Sequence, residues 1–346
     1  MTDTPPSPHV LDTAYDEEAL IGDAFMANRM AMEEKLGVLR DVNETLRAGG
    51  GEERQHAKGR LTARERLEDL LDPDAPFLEI GSLAGWGMYD EWGIPSANVV
   101  TGVGSVSGRR FMVIANDATI KAGAFVPMTA KKVLRAQRIA MENHLPLIYL
   151  VDSAGVFLPL QDEVFPDKDD FGKVFDYNAR ISAMGIPQIS AILGQCVAGG
   201  AYLPVICDHL IMTEGSGLYL AAAELAKAAQ QAGPDVTNEE IGGAEVHSTI
   251  SGTVDHRCET DQEALAMIRD IASRMGPPPP SPFDRAETVA PLYDTEELLG
   301  IMPADERMPY DSREILSRIL DGSVLHEVKP EFGRTLICGW GRIGGF

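Results

Sequence analysis

With 346 residues, 44% of them apolar, the chain is long enough for two domains with sizeable cores and too apolar for disorder to be its default. Its 53 acidic against 30 basic side chains give a formal charge of −23, which argues against nucleic acid and anionic membranes as partners, so an anionic ligand needs a local basic pocket. Cys196, Cys207, Cys258 and Cys338 form no CxxC pair and suit a reducing compartment, so the cytoplasm is expected; no run of about 18 apolar residues offers a membrane span, and the acidic N-terminus has no signal or transit pattern.

Residues 1 to 16 read as a loose tail. Glu17 to Arg47 has the period of a polar-faced helix that ends in the flexible AGGGEE. From Phe77 the pattern turns to strands: FLEIGSLAG, NVVTGVGSV and RRFMVIAND, then LPLIYLV, PQISAIL and HLIMT alternating with helical stretches such as KKVLRAQRIAMEN and AYLPVIC. That alternation predicts an α/β fold with buried, largely parallel strands. GPPPPSP, Gly276 to Pro282, excludes regular structure and reads as a linker.

After the linker the sequence repeats itself. SREILSRILDGSVLHEV (Ser312 to Val328) has the form of ARERLEDLLDPDAPFLEI (Ala63 to Ile80), with Arg313 and Asp321 each 249 positions after Arg64 and Asp72. GWGRIGG (Gly339 to Gly345) likewise echoes GVGSVSG (Gly102 to Gly108). The expected organisation is an N-terminal tail and helix over 1–56, a complete domain over 57–276, a Pro-rich linker over 277–290, and the opening of a second domain over 291–346.

LIYLVDSAG and ISAILGQCVAGGA each end a buried strand in small residues, which leaves the following backbone N–H groups uncluttered. In the second case a helix is expected to begin at once and add its positive end. Two such turns facing one cavity make an oxyanion hole, where one donor contributes roughly 3 to 4 kcal/mol in the transition state. Close helix-to-sheet packing explains Gly199 and Gly200 equally well at this stage. Ser153 lacks a GxSxG elbow, so a nucleophilic serine is disfavoured. His247 and His256, beside Glu245 and Asp255, match no zinc spacing, and no metal is expected. Lys121, Lys131, Lys132, Arg135 and Arg138 cluster within an otherwise acidic chain; they suit a phosphate-bearing ligand, a solvated helix face or a subunit contact. LPLQDEVFPDKDDFGKVF, with Phe165, Phe171 and Phe175, has the length of a lid or pocket wall.

KGRLTARERLEDLLDP, VVTGVG, IANDATIKAGAF, KKVLRAQRIA, YLVDSAG, VFPDKDDFGKVF, CVAGGAYLP and EEIGGAEVHSTISGTVDH occur in the order that resembles the carboxyltransferase (β) subunits of biotin-dependent acyl-CoA carboxylases, from about residue 57 to the end. The acidic loop resembles the methylcrotonoyl-CoA and geranyl-CoA carboxylase group. The resemblance implies a crotonase-like (ClpP/crotonase) ββα superhelix in each of two related domains, one complete here and one only begun. It implies that 57–276 binds acyl-CoA, that carboxybiotin on a separate carrier is held by the second domain of another subunit, and that a biotin carboxylase/biotin carrier (α) subunit is a partner. CO2 released from carboxybiotin is then attacked by an enolate or dienolate whose proton the biotin ureido nitrogen has taken. Carried over residue by residue, Ala154, Gly155, Gly199, Gly200 and Ala201 are the oxyanion-hole positions, and Phe165 and Phe171 belong to the acyl pocket; the basic cluster of Lys121, Lys131, Lys132 and Arg135 is the expected cofactor-binding charge, and the CoA site lies near Ala222 and Ala223.

The chain departs from the family pattern at DSAG, where relatives have DSGG, and at YLAAAELAK, where they have Gly-Pro. Most of the biotin-binding half is not in the sequence, which leads to the expectation of a fragment or split subunit that self-associates or takes its missing domain from another chain. LICGWGRIGGF is then expected to be a strand with nowhere to pair. A biotin-dependent acyl-CoA decarboxylase component and a non-catalytic CoA-binding or assembly subunit stay open as alternatives.

Overall fold

The structure is a computed structural model that describes residues 9–165, 167–229, 233–277 and 284–346. Half of the expected tail (residues 1–8), Pro166 of the acidic loop and most of GPPPPSP lie outside the described residues. The chain forms two compact units, residues 42–278 and residues 1–41 with 279–346.

The larger unit is built on an eight-stranded sheet. Its strands are β1 (Leu78–Glu79), β2 (Val99–Val106), β3 (Arg109–Asn116), β4 (Leu147–Ser153), β5 (Gln188–Val197), β6 (His209–Thr213), β7 (Gly217–Tyr219) and β8 (His256–Cys258). The order is β1-β2-β3-β4-β5-β6-β8, with β7 added beside β5 beyond the end of β6. β1 to β3 are antiparallel, and from β3 onward every pairing is parallel, as the apolar runs separated by helical stretches require.

Both faces of this sheet are dry. Ile189, Ala191 and Leu193 of β5 join one apolar cluster with α1 (Ala63–Leu70) and the C-terminal helix of the unit, Asp261–Arg274; Ile192 and Cys196 join the other with α2 (Pro127–Asn143) and α3 (Phe171–Ala183). Period-2 alternation is therefore invisible in the sequence of β5, because both sets of side chains are buried. The helices start where their sequences offer caps. Thr62 and Glu65 exchange side-chain and backbone bonds at the head of α1, and at α2 the Thr129 hydroxyl accepts the Val126 amide at 3.0 Å behind Pro127.

In the smaller unit, His9–Val10 pairs antiparallel with Val324–Glu327, which pairs in turn with Gly339–Trp340. The strand expected to have nowhere to pair thus finds a partner inside the chain. The repeat seen in the sequence is also a repeat of contacts. Arg64 forks onto Glu79 at 2.7 and 2.9 Å, and Arg313 forks onto Glu327 at 3.0 and 2.5 Å. The N-terminal helical segment breaks at Ile21–Gly22 into Glu17–Leu20 and Asp23–Ala48. Among the described residues no helix is long and apolar enough to cross a membrane.

Candidate active site

Three backbone segments converge at the C-terminal ends of β3, β4 and β5, the place where parallel α/β sheets leave loops free to bind ligands. The first, Lys121–Gly123, is a tight turn in which Lys121, Ala122 and Gly123 all adopt positive φ (46°, 52° and 67°). The second is Ser153–Val156, and the third is the single 3-10 turn Ala198–Ala201.

Close packing, not side-chain chemistry, joins them. Ala154 donates its amide to Ala122 O at 2.9 Å, Phe125 donates to Gly155 O at 2.8 Å, and the Ser153 hydroxyl donates to Gly123 O at 2.7 Å while accepting the Gly155 amide at 3.2 Å. Gly155, at φ 89°, lies so close to the third segment that an added methyl would sit 3.0 Å from Val197 O; one on Gly200 would sit 3.9 Å from Gly155 Cα. Gly199 backs onto the Phe171 ring, 2.9 Å from where its methyl would be. A narrow cavity of about 20 Å3, room for roughly one water, lies among Ile114, Val133, Ser153, Phe171, Gly200 and Leu203.

The five turn positions singled out in the sequence are therefore together, but they are not equivalent. The Ala154 and Gly155 amides are spent on neighbouring loop atoms, so neither is a free oxyanion donor in this geometry. Ala198–Ala201 opens with amides that have no carbonyl one turn earlier within the helix. The helix expected after it is short, Tyr202–Val205, so its dipole adds less than a full-length helix would. The residue that sequence reasoning missed is Ala122: it is exposed, its backbone is left-handed, and among the described residues its amide has no hydrogen-bond partner. Its signal in the sequence is IKAGAF, a run of small residues that follows a strand and precedes Pro127.

Phe165 and Phe171 meet, ring centroids 5.6 Å apart, and Phe171 also packs edge-to-face on Phe125 and Phe175. Phe171 is fully buried, whereas Phe165 is half exposed. The basic cluster divides. Lys131, Arg135 and Arg138 are exposed on one face of α2 and Lys121 is exposed in its turn, whereas Lys132 is buried and donates to Val99 O at 2.8 Å. Burial pushes the Lys132 ammonium down to about 8, against the opposing pull of Glu79. Ala222 and Ala223 follow β7, in which Tyr219 is in register with Val197; the Ala223 amide is taken by Asn238 Oδ1 at 2.7 Å. His247 bridges Leu218 O and Ser251 Oγ, as a satisfied loop histidine does. Among the described residues no group of three or more His, Cys, Asp or Glu is placed to hold a metal.

A sheet that turns parallel at β3, with uncluttered amides gathered at its strand ends, is the architecture of the crotonase-like α/β proteins. Residues 54–346 match the carboxyl transferase domain family, and the chain belongs to that family. It is 46% identical over 312 residues to the biotin-dependent 3-methylcrotonyl-coenzyme A carboxylase beta1 subunit of Mycobacterium tuberculosis, covering 88% of this chain and 58% of that protein. To the mitochondrial methylcrotonoyl-CoA carboxylase beta chain of Dictyostelium discoideum it is 43% identical over 342 residues, 97% of this chain and 57% of that one. The crystal structure of the geranyl-CoA carboxylase beta subunit of P. aeruginosa superposes with a TM-score of 0.86 at 36% identity, covering 97% of this chain and 62% of that chain. The chain thus spans less than two thirds of the length of each.

Proposed function

We propose that this chain is the acyl-CoA-binding part of a biotin-dependent carboxyltransferase acting on a short, branched, unsaturated thioester such as 3-methylcrotonoyl-CoA. The observation that carries this reading is the packing together of the Ala122, Ser153 and Ala198 turns at the strand ends, beside a cavity lined by Ser153 and Gly200 that contains no carboxylate, lysine, cysteine or histidine. Such a site has donors for a developing oxyanion and no base of its own.

Biotin on its carrier fits that donor set, since the cofactor, when bound, supplies both the carboxyl group and the proton acceptor. What this chain's residues do is bind and hold. The Ala122 and Gly199 amides take the thioester oxygen as its negative charge grows when the substrate loses its proton. Phe165 and Phe171 wall the acyl group from water, and Lys121, Lys131 and Arg135 hold the CoA phosphates that the chain's overall charge repels. A biotin carboxylase/carrier subunit is the expected partner.

Titration calorimetry with 3-methylcrotonoyl-CoA tests the reading. Micromolar binding that is at least several-fold tighter than that of free CoA is expected. Equal affinity for the two, or none for either, refutes it. Adding the biotin-bearing subunits and following 3-methylcrotonoyl-CoA-dependent carboxylation then separates a catalytic part from a purely CoA-binding one.

A further inference from the structure

Asp152 is buried near the end of β4, immediately before the Ser153–Val156 segment; it lies against Gly123 of the first segment and against Gly194 and Gln195 of β5, the strand that leads into the third. Its backbone carbonyl lies against Gly123, where an added methyl would overlap it. Its carboxylate lies flat over Gly194, which for the same reason has no room for a side chain, and Oδ1 accepts the Gln195 amide at 3.2 Å. This contact falls where β4 and β5 lose their register. Val151 is opposite Ile192 but Ser153 is opposite Cys196, so β5 gains two residues, and the Asp152 side chain fills the gap.

The carboxylate is itself fixed. Arg66 of α1, also fully buried, reaches Asp152 Oδ2 at 3.3 Å and Leu193 O at 3.0 Å from one guanidinium nitrogen, and Asp261 Oδ2 at 2.8 Å through Nε. Asp261 in turn accepts the Leu61 amide at 3.0 Å. Burial raises the Asp152 carboxyl's pKa, with Arg66 pulling the other way. A two-acid, one-arginine group in a dry interior costs more to bury than apolar side chains of the same size, so stability alone does not account for it.

Resting on the acyl-CoA reading above, we propose that Asp152 is a positioning residue: held by Arg66, it sets the offset between β4 and β5 that brings Gly155 against Val197–Gly200, and so aims the Gly199 amide, opposite that of Ala122, at the thioester oxygen. Without the Gln195 contact, the bulge has no side chain to define it, and the third segment shifts relative to Ala122.

The test compares 3-methylcrotonoyl-CoA with its thioether analogue, S-(3-methylbut-2-enyl)-CoA, which lacks only the carbonyl oxygen. In the parent chain the thioester is expected to bind about tenfold tighter than the thioether, the order expected for one well-made hydrogen-bonded contact. Asp152→Ala is expected to reduce that ratio to about one while leaving thioether affinity unchanged, because the CoA contacts are elsewhere. A folded Asp152→Ala that keeps the ratio overturns the proposal, and so does one that loses both ligands together, which marks a merely structural residue. If Asp152→Ala does not fold, Asp152→Asn carries the test, since it keeps the size and an acceptor for Gln195 but not the charge that Arg66 fixes. A ratio reduced at least about threefold at constant thioether affinity supports the proposal, and an unchanged ratio overturns it. A parent chain that binds neither compound refutes the acyl-CoA reading itself, and the proposal with it.

Discussion

Asp321 makes in the smaller unit the turn that Asp72 makes in the larger one. Each carboxylate spans two consecutive backbone amides, Gly344 and Gly345 at 2.8 and 2.7 Å for Asp321, Ser107 and Gly108 at 2.8 Å each for Asp72. Each residue also donates its own amide at 2.8 Å to a carbonyl two positions before the first of those amides, Arg342 O in one case and Ser105 O in the other. A coincidence of helix-like spacing does not reproduce a corner of this kind, so the duplication is structural as well as textual. The larger unit adds the Ser105 hydroxyl at 2.8 Å and Arg269 at 2.9 Å.

For Asp72 these contacts have a measurable consequence. Burial alone would raise its pKa, but the Gly108 amide, Ser105, Arg269 and the Ser107 amide outweigh it and hold the carboxyl at about 2, below its ordinary 3.8. A folded pKa below the unfolded one stabilises the protein above about pH 4, and that stabilisation fades as pH falls toward 2. Asp72→Asn is expected to lower stability by about 2 kcal/mol at neutral pH. Urea midpoints of parent and variant should converge between pH 5 and pH 2; a constant gap across that range contradicts the assignment.

Gly155 and Gly200 separate fold from function. Gly155→Ala forces a methyl into positive φ and against Val197 O, so a loss of about 1 to 3 kcal/mol in stability is expected. Gly200→Ala meets only Gly155 Cα, at 3.9 Å, in ordinary contact. Its melting temperature should stay within about 3 °C of the parent, while its methyl enters the space proposed for the thioester and acyl-CoA affinity falls about tenfold or more. If Gly200→Ala binds acyl-CoA like the parent, the cavity at Gly200 is not the acyl site.

Much of this was legible in the sequence. The strand-to-loop junctions at Ser153 and Val197 were visible because buried runs end there in small residues, and the Arg64 and Asp72 echoes at Arg313 and Asp321 were visible because side chains that tie corners are specific. What stayed hidden depends on register and three-dimensional occupancy. Nothing in YLVDSAG says that the Gly155 amide is taken by Ser153 Oγ. No spacing rule says that Lys132, one residue from exposed Lys131, turns inward, since adjacent helical positions lie about 100° apart and only the surrounding sheet decides which one is dry. The setting of Asp152 is hidden for the same reason: it sits at a two-residue slip between β4 and β5 that one strand's sequence does not record.

The exposed face of α2 yields a charge test. Lys131, Arg135 and Arg138 have no carboxylate within 4.0 Å among the described residues, which is unusual in a chain of net charge −23. If they hold the CoA phosphates, Arg135→Glu should weaken acyl-CoA binding about tenfold at low salt and distinctly less at about 0.5 M salt. Binding of 3-methylcrotonoyl-pantetheine, which lacks the adenosine phosphates, should be unaffected. Equal loss for both ligands means that the mutation disturbs the fold, and no loss for either means that the cations serve another surface.

Lys132 gives the opposite pH signature to Asp72. Its ammonium is buried beside Val99 O, Glu79 and Arg64, and burial sets its pKa at about 8 against an ordinary 10.5. With the folded pKa the lower of the two, the unfolded chain binds more protons between those values, so this residue's contribution to stability rises with pH through that window and is at its least favourable below about pH 8. Lys132→Met removes both the titration and the cost of burying the charge, although it leaves Val99 O without its donor. Relative to Lys132→Met, the parent should gain about 2 to 3 kcal/mol between pH 7.5 and pH 10.5 in denaturant unfolding, while the titrations common to both chains cancel in the difference. A difference that stays flat would show that the Lys132 pKa is not lowered, and that Glu79 holds the ammonium charged well enough to offset its burial.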